Sequence, residues 1–105
     1  MILTANGRSV EMGAAGLDAL SMGRADDNEI QCAGQLTSRK HARIEFKRGR
    51  FTITDQSANG TNVRPDGAPM SALRREYMQL EGSGYIGLGQ DPDEMGPLAI
   101  HYFVE

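Results

Sequence analysis

The chain has 105 residues and a formal net charge of −3 at pH 7, with one cysteine, two histidines and no tryptophan. This length supports one core, so residues 1–105 are expected to form a single domain. The lone Cys32 excludes an internal disulfide framework and a structural zinc site, and neither a metal nor another cofactor is expected. No apolar run approaches the ~20 residues of a membrane span and no signal peptide opens the chain, which predicts a cytoplasmic location without membrane binding.

Short segments with strand-like alternation, separated by polar turns, follow one another along the whole chain. Thirteen glycines and few aromatic residues suit a turn-rich β protein better than a helical bundle. The predicted strands are residues 2–5, 8–12, 17–22, 30–32, 41–47, 51–53, 61–63, 77–80, 85–88 and 98–104. Such closely spaced short strands predict an all-β antiparallel sandwich or barrel.

The connections between these strands carry different signals. Asn6-Gly7 predicts a two-residue hairpin turn, because both residue types tolerate a positive φ. Residues 64–72 contain two prolines and predict a long loop. Residues 71–77 are the one segment compatible with a helix.

Basic residues are concentrated in one part of an otherwise acidic chain. Residues 39–50 hold six of the eleven basic residues against one acid, Glu45. Arg43, Lys47 and Arg48 alternate with apolar positions, which predicts a solvated strand face. No aromatic residues interleave with the basic ones as a stacking platform would require, so nucleic acid is not expected as a partner.

Two motifs that suggest catalysis or nucleotide binding are decoys. Residues 82–87 match G-x-G-x-x-G, but the following Asp91-Pro92 cannot continue a helix, so this match predicts a glycine-flanked strand. Ser38, His41 and Asp55 could be combined into a hydrolase triad, but no nucleophile elbow surrounds Ser38. No catalytic residue is assigned, and the domain is not expected to be an enzyme.

Three short segments instead offer groups suited to an oxyanion. They are Gly23-Arg24, Ser38-Arg39-Lys40-His41 and residues 55–61, which read Asp-Gln-Ser-Ala-Asn-Gly-Thr. Arginine guanidinium groups, a serine hydroxyl and the N–H groups of an Asn-Gly-Thr turn are all hydrogen-bond donors to anions. The pattern predicts binding without chemistry.

These segments, in this order, resemble the signature of forkhead-associated (FHA) domains. Fourteen residues separate Arg24 from Ser38 and twenty-one separate Ser38 from Asn59, as in that family. Residues 85–89 resemble its late strand that ends in an apolar-x-Leu-Gly pattern. The resemblance implies an antiparallel β-sandwich of about eleven strands whose loops at one end bind phosphothreonine peptides.

The resemblance also assigns roles to individual residues. It implies that Arg24 pairs with the phosphate, that Ser38 donates its hydroxyl to a phosphate oxygen, and that Arg39 contacts the phosphate or the loop backbone. Asn59 would hydrogen-bond the main chain of the peptide. The residues expected to support the site structurally are Gly23, His41, Gly60 and Thr61.

The sequence departs from the family pattern at two places, and other roles for Arg24, Ser38 and Arg39 remain open at this point. Ala58 stands where many relatives have Ser or Thr, and residues 64–69 replace a tight Asn-Gly turn. Arg24 could instead form a salt bridge with Asp26 or Asp27, Ser38 could cap a turn, and Arg39 could pair with surface acids.

Two functions of different classes are therefore compared. The first is a phosphothreonine-peptide recognition module within a larger signalling protein, which binds a phosphorylated partner or a segment of its own parent protein. The second is a phosphate-independent docking or dimerisation domain with the same fold. Residues 73–76 and 80–84 resemble FHA domains fused to bacterial class III adenylate or guanylate cyclases, which would connect the module to a nucleotide cyclase.

Overall fold

The computed structural model describes residues 1–105 and consists of eleven β-strands with two single-turn 3₁₀ helices. The strands are β1 (Ile2–Ala5), β2 (Arg8–Glu11), β3 (Ala19–Gly23), β4 (Ile30–Gln31), β5 (Ala42–Lys47), β6 (Arg50–Asp55), β7 (Thr61–Pro65), β8 (Ser71–Leu73), β9 (Tyr77–Leu80), β10 (Ser83–Leu88) and β11 (Ile100–Phe103). The 3₁₀ helices are Pro92–Glu94 and Gly96–Leu98. Both helices are single turns, well short of the length that a membrane-spanning helix requires.

The strands form two sheets. One sheet has six strands in the order β2-β1-β11-β10-β7-β8, and the other has five in the order β4-β3-β5-β6-β9. All neighbouring pairs are antiparallel except β3 and β4. The predicted all-β sandwich is confirmed, with eleven strands as the FHA resemblance implied.

Alternation of buried and more exposed positions along several strands, β5 and β6 among them, contributes to the core. In β5, Ala42 and Ile44 are buried while Arg43 is exposed, and Ile44 lies opposite the buried Ile53 of β6. A single cluster of 19 buried apolar residues collects such positions from both sheets. The predicted solvated face is confirmed: Arg43 and Lys47 are exposed, and both form ion pairs with Glu45 at 3.8 and 3.4 Å.

The predicted hairpin turn at Asn6-Gly7 is confirmed, with φ values of 50° and 78°. The G-x-G-x-x-G match is also a strand as predicted, because β10 occupies Ser83–Leu88 and pairs with both β7 and β11. Local sequence signals were sufficient at these two places.

Two predictions in the middle of the chain were wrong. The loop predicted over residues 64–72 is shorter, because β7 continues to Pro65 and Gly67, at φ 77°, reverses the chain. The helix considered for residues 71–77 is absent: strand β8 fills its first half, followed by a turn in which Arg75 has φ 56°. Pairing of β8 with β7, which buries Leu73, overrides the local helical preference.

Three connections converge at one end of the sandwich because the central strands of the five-stranded sheet alternate in direction. Met22, near the end of β3, lies opposite Ala42, the first residue of β5. Ala42 in turn lies opposite Asp55, the last residue of β6. The first loop (residues 24–29, after β3), the second loop (residues 32–41, before β5) and the third loop (residues 56–60, after β6) therefore meet. Together with the strand residues next to them they contain the three motifs found in the sequence.

Truncation of the core tests this architecture. Ile53 is fully buried, so Ile53→Ala should lower the free energy of unfolding by about 2–5 kcal/mol through lost burial and a residual cavity. Thr52→Val, on the opposite face of the same strand, should change it by less than about 0.5 kcal/mol. Urea denaturation followed by circular dichroism measures both, and equal effects would contradict the assigned faces.

Candidate functional site

Arg24 is held by its backbone while its side chain stays free. Its N–H donates to the carbonyl of Ser38 at 2.9 Å, and its carbonyl accepts from Gln31 Nε2 at 3.2 Å. The side chain is exposed and forms no ion pair, and Asp27 pairs with Lys40 at 2.9 Å. The alternative salt bridge from Arg24 to Asp26 or Asp27 is therefore not formed.

Gly23 allows the first two loops to approach closely. A Cβ at this position would collide with the carbonyl of Arg39 and would lie 2.9 Å from the backbone nitrogen of His41. No other residue type fits without displacing the backbone, since the colliding atoms are not flexible side-chain ends. The N–H of Ala25 then donates to the same Arg39 carbonyl at 3.2 Å.

Ser38 has a hydroxyl whose hydrogen has no protein acceptor. Its Oγ accepts the N–H of Ala58 at 3.2 Å, which connects the second loop to the third. Its own N–H donates to His41 Nδ1 at 2.9 Å. Since the oxygen is used as an acceptor, the O–H remains available to an incoming anion. Arg39, the next residue, is exposed and forms no ion pair.

His41 is fully buried and connects two loops through its ring. Because Nδ1 accepts from Ser38, the ring proton lies on Nε2, which donates to the carbonyl of Gly60 at 2.7 Å. Burial lowers the pKa of His41 from its usual 6.5, although the Gly60 carbonyl and the charge of Asp55 oppose this. The neutral ring is required, since protonation of Nδ1 would remove the acceptor for Ser38.

Asn59 and Gly60 shape the third loop. Asn59 is exposed, and its Nδ2 donates to the carbonyl of Leu36 at 3.0 Å, leaving Oδ1 free to accept. Gly60 adopts φ 91°, a conformation that side-chain-bearing residues rarely adopt. Its carbonyl accepts from Gly89 at 3.0 Å as well as from His41.

The buried carboxylate of Asp55 holds this loop in place through hydrogen bonds. Its Oδ1 accepts the hydroxyls of Ser57 and Thr61, each at 2.6 Å, and its Oδ2 accepts the N–H of Arg75 at 2.9 Å. Ser57 Oγ in turn accepts the N–H of Gly60 at 2.7 Å. Burial is the largest single influence and raises the pKa of Asp55, but these hydrogen bonds together outweigh it and hold the pKa below 3.8.

The combined geometry supports binding and not nucleophilic catalysis. His41 contacts the backbone N–H of Ser38, not its hydroxyl, and Asp55 contacts Ser57 and Thr61, not His41. The hydrolase triad considered from the sequence is therefore not assembled. No group of His, Cys, Asp and Glu side chains is arranged to hold a metal ion.

Sequence reasoning missed two residues that shape the site. Asn28 is buried, and its Nδ2 donates to the carbonyls of Ala25 and Arg39 at 2.8 and 2.9 Å, which fixes the first loop to the second. Asn28 lies in an acidic segment whose composition is typical of a solvated turn, so the local sequence did not indicate a structural role for it. Arg75 contacts both Asp55 and Ser57 from a segment that was considered helical.

The Asp55 network predicts a specific dependence of stability on pH. The folded pKa is lowered, so the stabilisation is complete above pH 3.8 and is lost as pH falls through the lower folded value. Asp55→Asn leaves at least one buried donor without its acceptor and should cost about 1–3 kcal/mol at pH 7. When urea denaturation is repeated at lower pH values down to about pH 2, the difference in free energy of unfolding between the wild type and Asp55→Asn should become smaller.

Asp26→Asn is the matched control, because Asp26 is exposed and forms no ion pair or side-chain hydrogen bond. It should leave stability at pH 7 within about 0.5 kcal/mol of the wild type. A constant deficit for Asp55→Asn across the whole pH range would contradict a lowered pKa for this carboxyl group.

Comparisons with known proteins agree with this architecture. Residues 20–89 match the family model of the FHA domain. No curated protein matches the chain by sequence. The structure is similar to Rv1747 FHA-1 of Mycobacterium tuberculosis, with a TM-score of 0.69 and 19% identity, over 98% of this chain and 93% of that chain.

Two similar structures contain phosphopeptides. Mycobacterium tuberculosis EmbR, in complex with a low affinity phosphopeptide, matches with a TM-score of 0.71 and 23% identity, over 97% of this chain and 23% of that chain. The MEK1 FHA domain, in complex with a HOP1 phosphothreonine peptide, matches with a TM-score of 0.68 and 19% identity, over 98% of this chain and 93% of that chain. At these identities the likeness concerns the fold.

The family model covers two thirds of the chain, from β3 to the end of β10, and includes all three loops of the site. The resemblance stated from the sequence is thus confirmed, and the chain belongs to the FHA domain family.

Proposed function

We propose that this domain is a non-catalytic module that recognises phosphothreonine peptides and thereby mediates phosphorylation-dependent protein–protein interaction. One observation carries the proposal. The guanidinium groups of Arg24 and Arg39 and the hydroxyl hydrogen of Ser38 lack protein partners, although the loops that hold them are hydrogen-bonded to one another. Unpaired donors on fixed loops are suited to an anionic ligand.

The chemistry of a phosphorylated side chain fits these donors. A phosphothreonine carries a charge of about −1.5 to −2 at neutral pH and three acceptor oxygens. A guanidinium and a hydroxyl would each form a directed, charge-assisted hydrogen bond worth about 1.5–3 kcal/mol. The loops need little further ordering on binding, because backbone contacts already fix Arg24 and Ser38; the remaining cost is immobilising the Arg24 side chain.

Asn59 would bind the main chain of the ligand beside the phosphate. Its Oδ1 is free to accept a backbone N–H, while its amide nitrogen is bound to Leu36. In this proposal the remaining residues support the site: Gly23 permits the close approach of two loops, and His41, Gly60 and Thr61 belong to the hydrogen-bond network beneath them.

We further propose that residues 1–105 act as one binding module of a larger, cytoplasmic signalling protein. The similar region of EmbR is 23% of that chain, so the same fold occurs there within a longer protein. The ligand would be a phosphothreonine segment of another protein or of the same chain. If the cyclase-like residues 73–76 and 80–84 indicate the parent, binding would regulate a nucleotide cyclase.

Substitution of the phosphate-binding residues tests the proposal. Arg24→Ala and Ser38→Ala should each weaken binding to a phosphothreonine peptide by about one to two orders of magnitude, because each removes a charge-assisted hydrogen bond. Arg24→Ala should leave the thermal unfolding midpoint close to that of the wild type, because its exposed side chain has no partner. Ser38→Ala also removes the acceptor of the Ala58 N–H and should lower the midpoint slightly. Calorimetric titration with peptides selected from a degenerate phosphothreonine library measures the effect.

Arg50→Ala is the matched control, since Arg50 is exposed, forms no ion pair and lies at the opposite end of the sandwich. Its affinity for the same peptides should equal that of the wild type.

Phosphoserine and unphosphorylated libraries test selectivity for phosphothreonine. Normal binding by Arg24→Ala would show that the phosphate binds elsewhere. If a folded wild-type sample enriches no phosphothreonine peptide from the library, a phosphate-independent docking or dimerisation domain is favoured. The lack of a side-chain hydroxyl at Ala58 is compatible with that second function.

Ala58→Ser provides a gain-of-affinity test. Ala58 is exposed, and its N–H already contacts Ser38 Oγ, so a hydroxyl at this position would lie beside the proposed phosphate. The added hydrogen bond should tighten binding by about 0.5–1.5 kcal/mol. Ala14→Ser, at another exposed position, should leave the dissociation constant unchanged. Equal affinities for both variants would show that position 58 does not face the ligand.

A further inference from the structure

Arg75 occupies the β8–β9 turn in a left-handed conformation, with φ 56°. Its backbone N–H donates to Asp55 Oδ2 at 2.9 Å. Its side chain folds over the third loop of the site, where Nε donates to the carbonyl of Ser57 at 3.2 Å. The position of the guanidinium is therefore fixed by a hydrogen bond at each end of the residue.

The rest of this guanidinium has no partner. An arginine side chain carries five N–H donors, and Arg75 uses only the one on Nε. It forms no ion pair, and neither does the neighbouring Arg74, although both are exposed. The nearest acid along the chain, Glu76, accepts the backbone N–H of Arg74 at 3.2 Å and pairs with neither guanidinium.

A single peptide unit separates Arg75 from the proposed phosphate position. The carbonyl of Ser57 accepts from Arg75, whereas the N–H of Ala58, in the same peptide unit, donates to Ser38 Oγ at 3.2 Å. The carbonyl and N–H of a trans peptide point in opposite directions. Arg75 Nε is therefore on the opposite side of this peptide from Ser38, within about 9 Å of its Oγ.

We infer that Arg75, together with the adjacent Arg74, forms a second anion subsite that binds an aspartate or glutamate of the partner peptide. This inference rests on the proposed phosphothreonine function. An extended peptide rises about 3.3 Å per residue, so a span of up to 9 Å corresponds to two or three residues from the phosphothreonine. The paired N–H groups of a guanidinium match the two oxygens of a carboxylate.

The conformation of Arg75 permits a clean test. Arg75→Gly removes the guanidinium but keeps the backbone N–H that Asp55 requires, and glycine adopts a φ of 56° without strain. Arg48→Gly is the matched control: Arg48 has φ 54°, is exposed, and lies in the β5–β6 turn at the far end of the sandwich. Both variants lose the same charge from the same backbone conformation.

Fluorescence anisotropy would be measured with phosphothreonine peptides in a neutral background that carry a single glutamate at each position within four residues of the phosphate. For the wild type, glutamate two or three residues away on one side should tighten binding about threefold to tenfold relative to the neutral peptide. Arg75→Gly should abolish this preference, so that it binds the neutral and the glutamate phosphopeptides equally. Because this variant also loses the contact of Nε with the Ser57 carbonyl, the quantity compared is the ratio of the two affinities within each variant. Arg48→Gly should retain the preference.

Each contrary result is distinguishable. The subsite is refuted if the neutral phosphopeptide binds but glutamate gives no advantage at any position, or if Arg75→Gly keeps the advantage. Failure of every phosphopeptide to bind the folded wild type would overturn the proposed function, and the subsite with it.

Discussion

The buried carboxylate of Asp55 is the constraint on which the binding face depends. It accepts hydrogen bonds from Ser57 in the third loop, from Thr61 at the start of β7 and from Arg75 in the β8–β9 turn. Ser57 then fixes the N–H of Gly60, whose carbonyl accepts from His41, and His41 in turn accepts from the backbone of Ser38. A series of hydrogen bonds thus runs from a charge in the interior to the backbone of Ser38, the residue whose hydroxyl would meet a phosphate.

This series divides the polar groups of the site into two classes. The groups beneath the loops are paired with one another, so the loop conformations are set before a ligand arrives. The donors above them, on Arg24, Arg39 and Ser38, are unpaired. Because the first class is satisfied internally, a ligand would contribute acceptors only to the second class, and its binding energy would not be spent on ordering loops.

The sequence predicted those parts of the fold that depend on local patterns. Alternation identified the faces of β5 and β6, and Asn6-Gly7 identified a hairpin turn, because both effects act within a few residues. Strand β8 was missed, because its pairing with β7 and the burial of Leu73 are tertiary effects. The spacing of the motifs indicated that Arg24, Ser38 and Asn59 lie at one end of the sandwich. No local sequence pattern identified Asn28 or Arg75, because their side chains bind carbonyl groups that are distant in the sequence.

The peptide unit between Ser57 and Ala58 has a consequence for where a partner can be recognised. Ser38 contacts one side of this rigid plane and Arg75 the other, so in the proposed binding mode it would set the separation of two ligand charges. A helix rises only about 1.5 Å per residue, so a helical ligand would need about six residues to cover a distance that two or three extended residues cover. The domain would therefore bind its target in linkers and unstructured tails. It would bind a phosphorylated site only where the partner chain is locally unfolded.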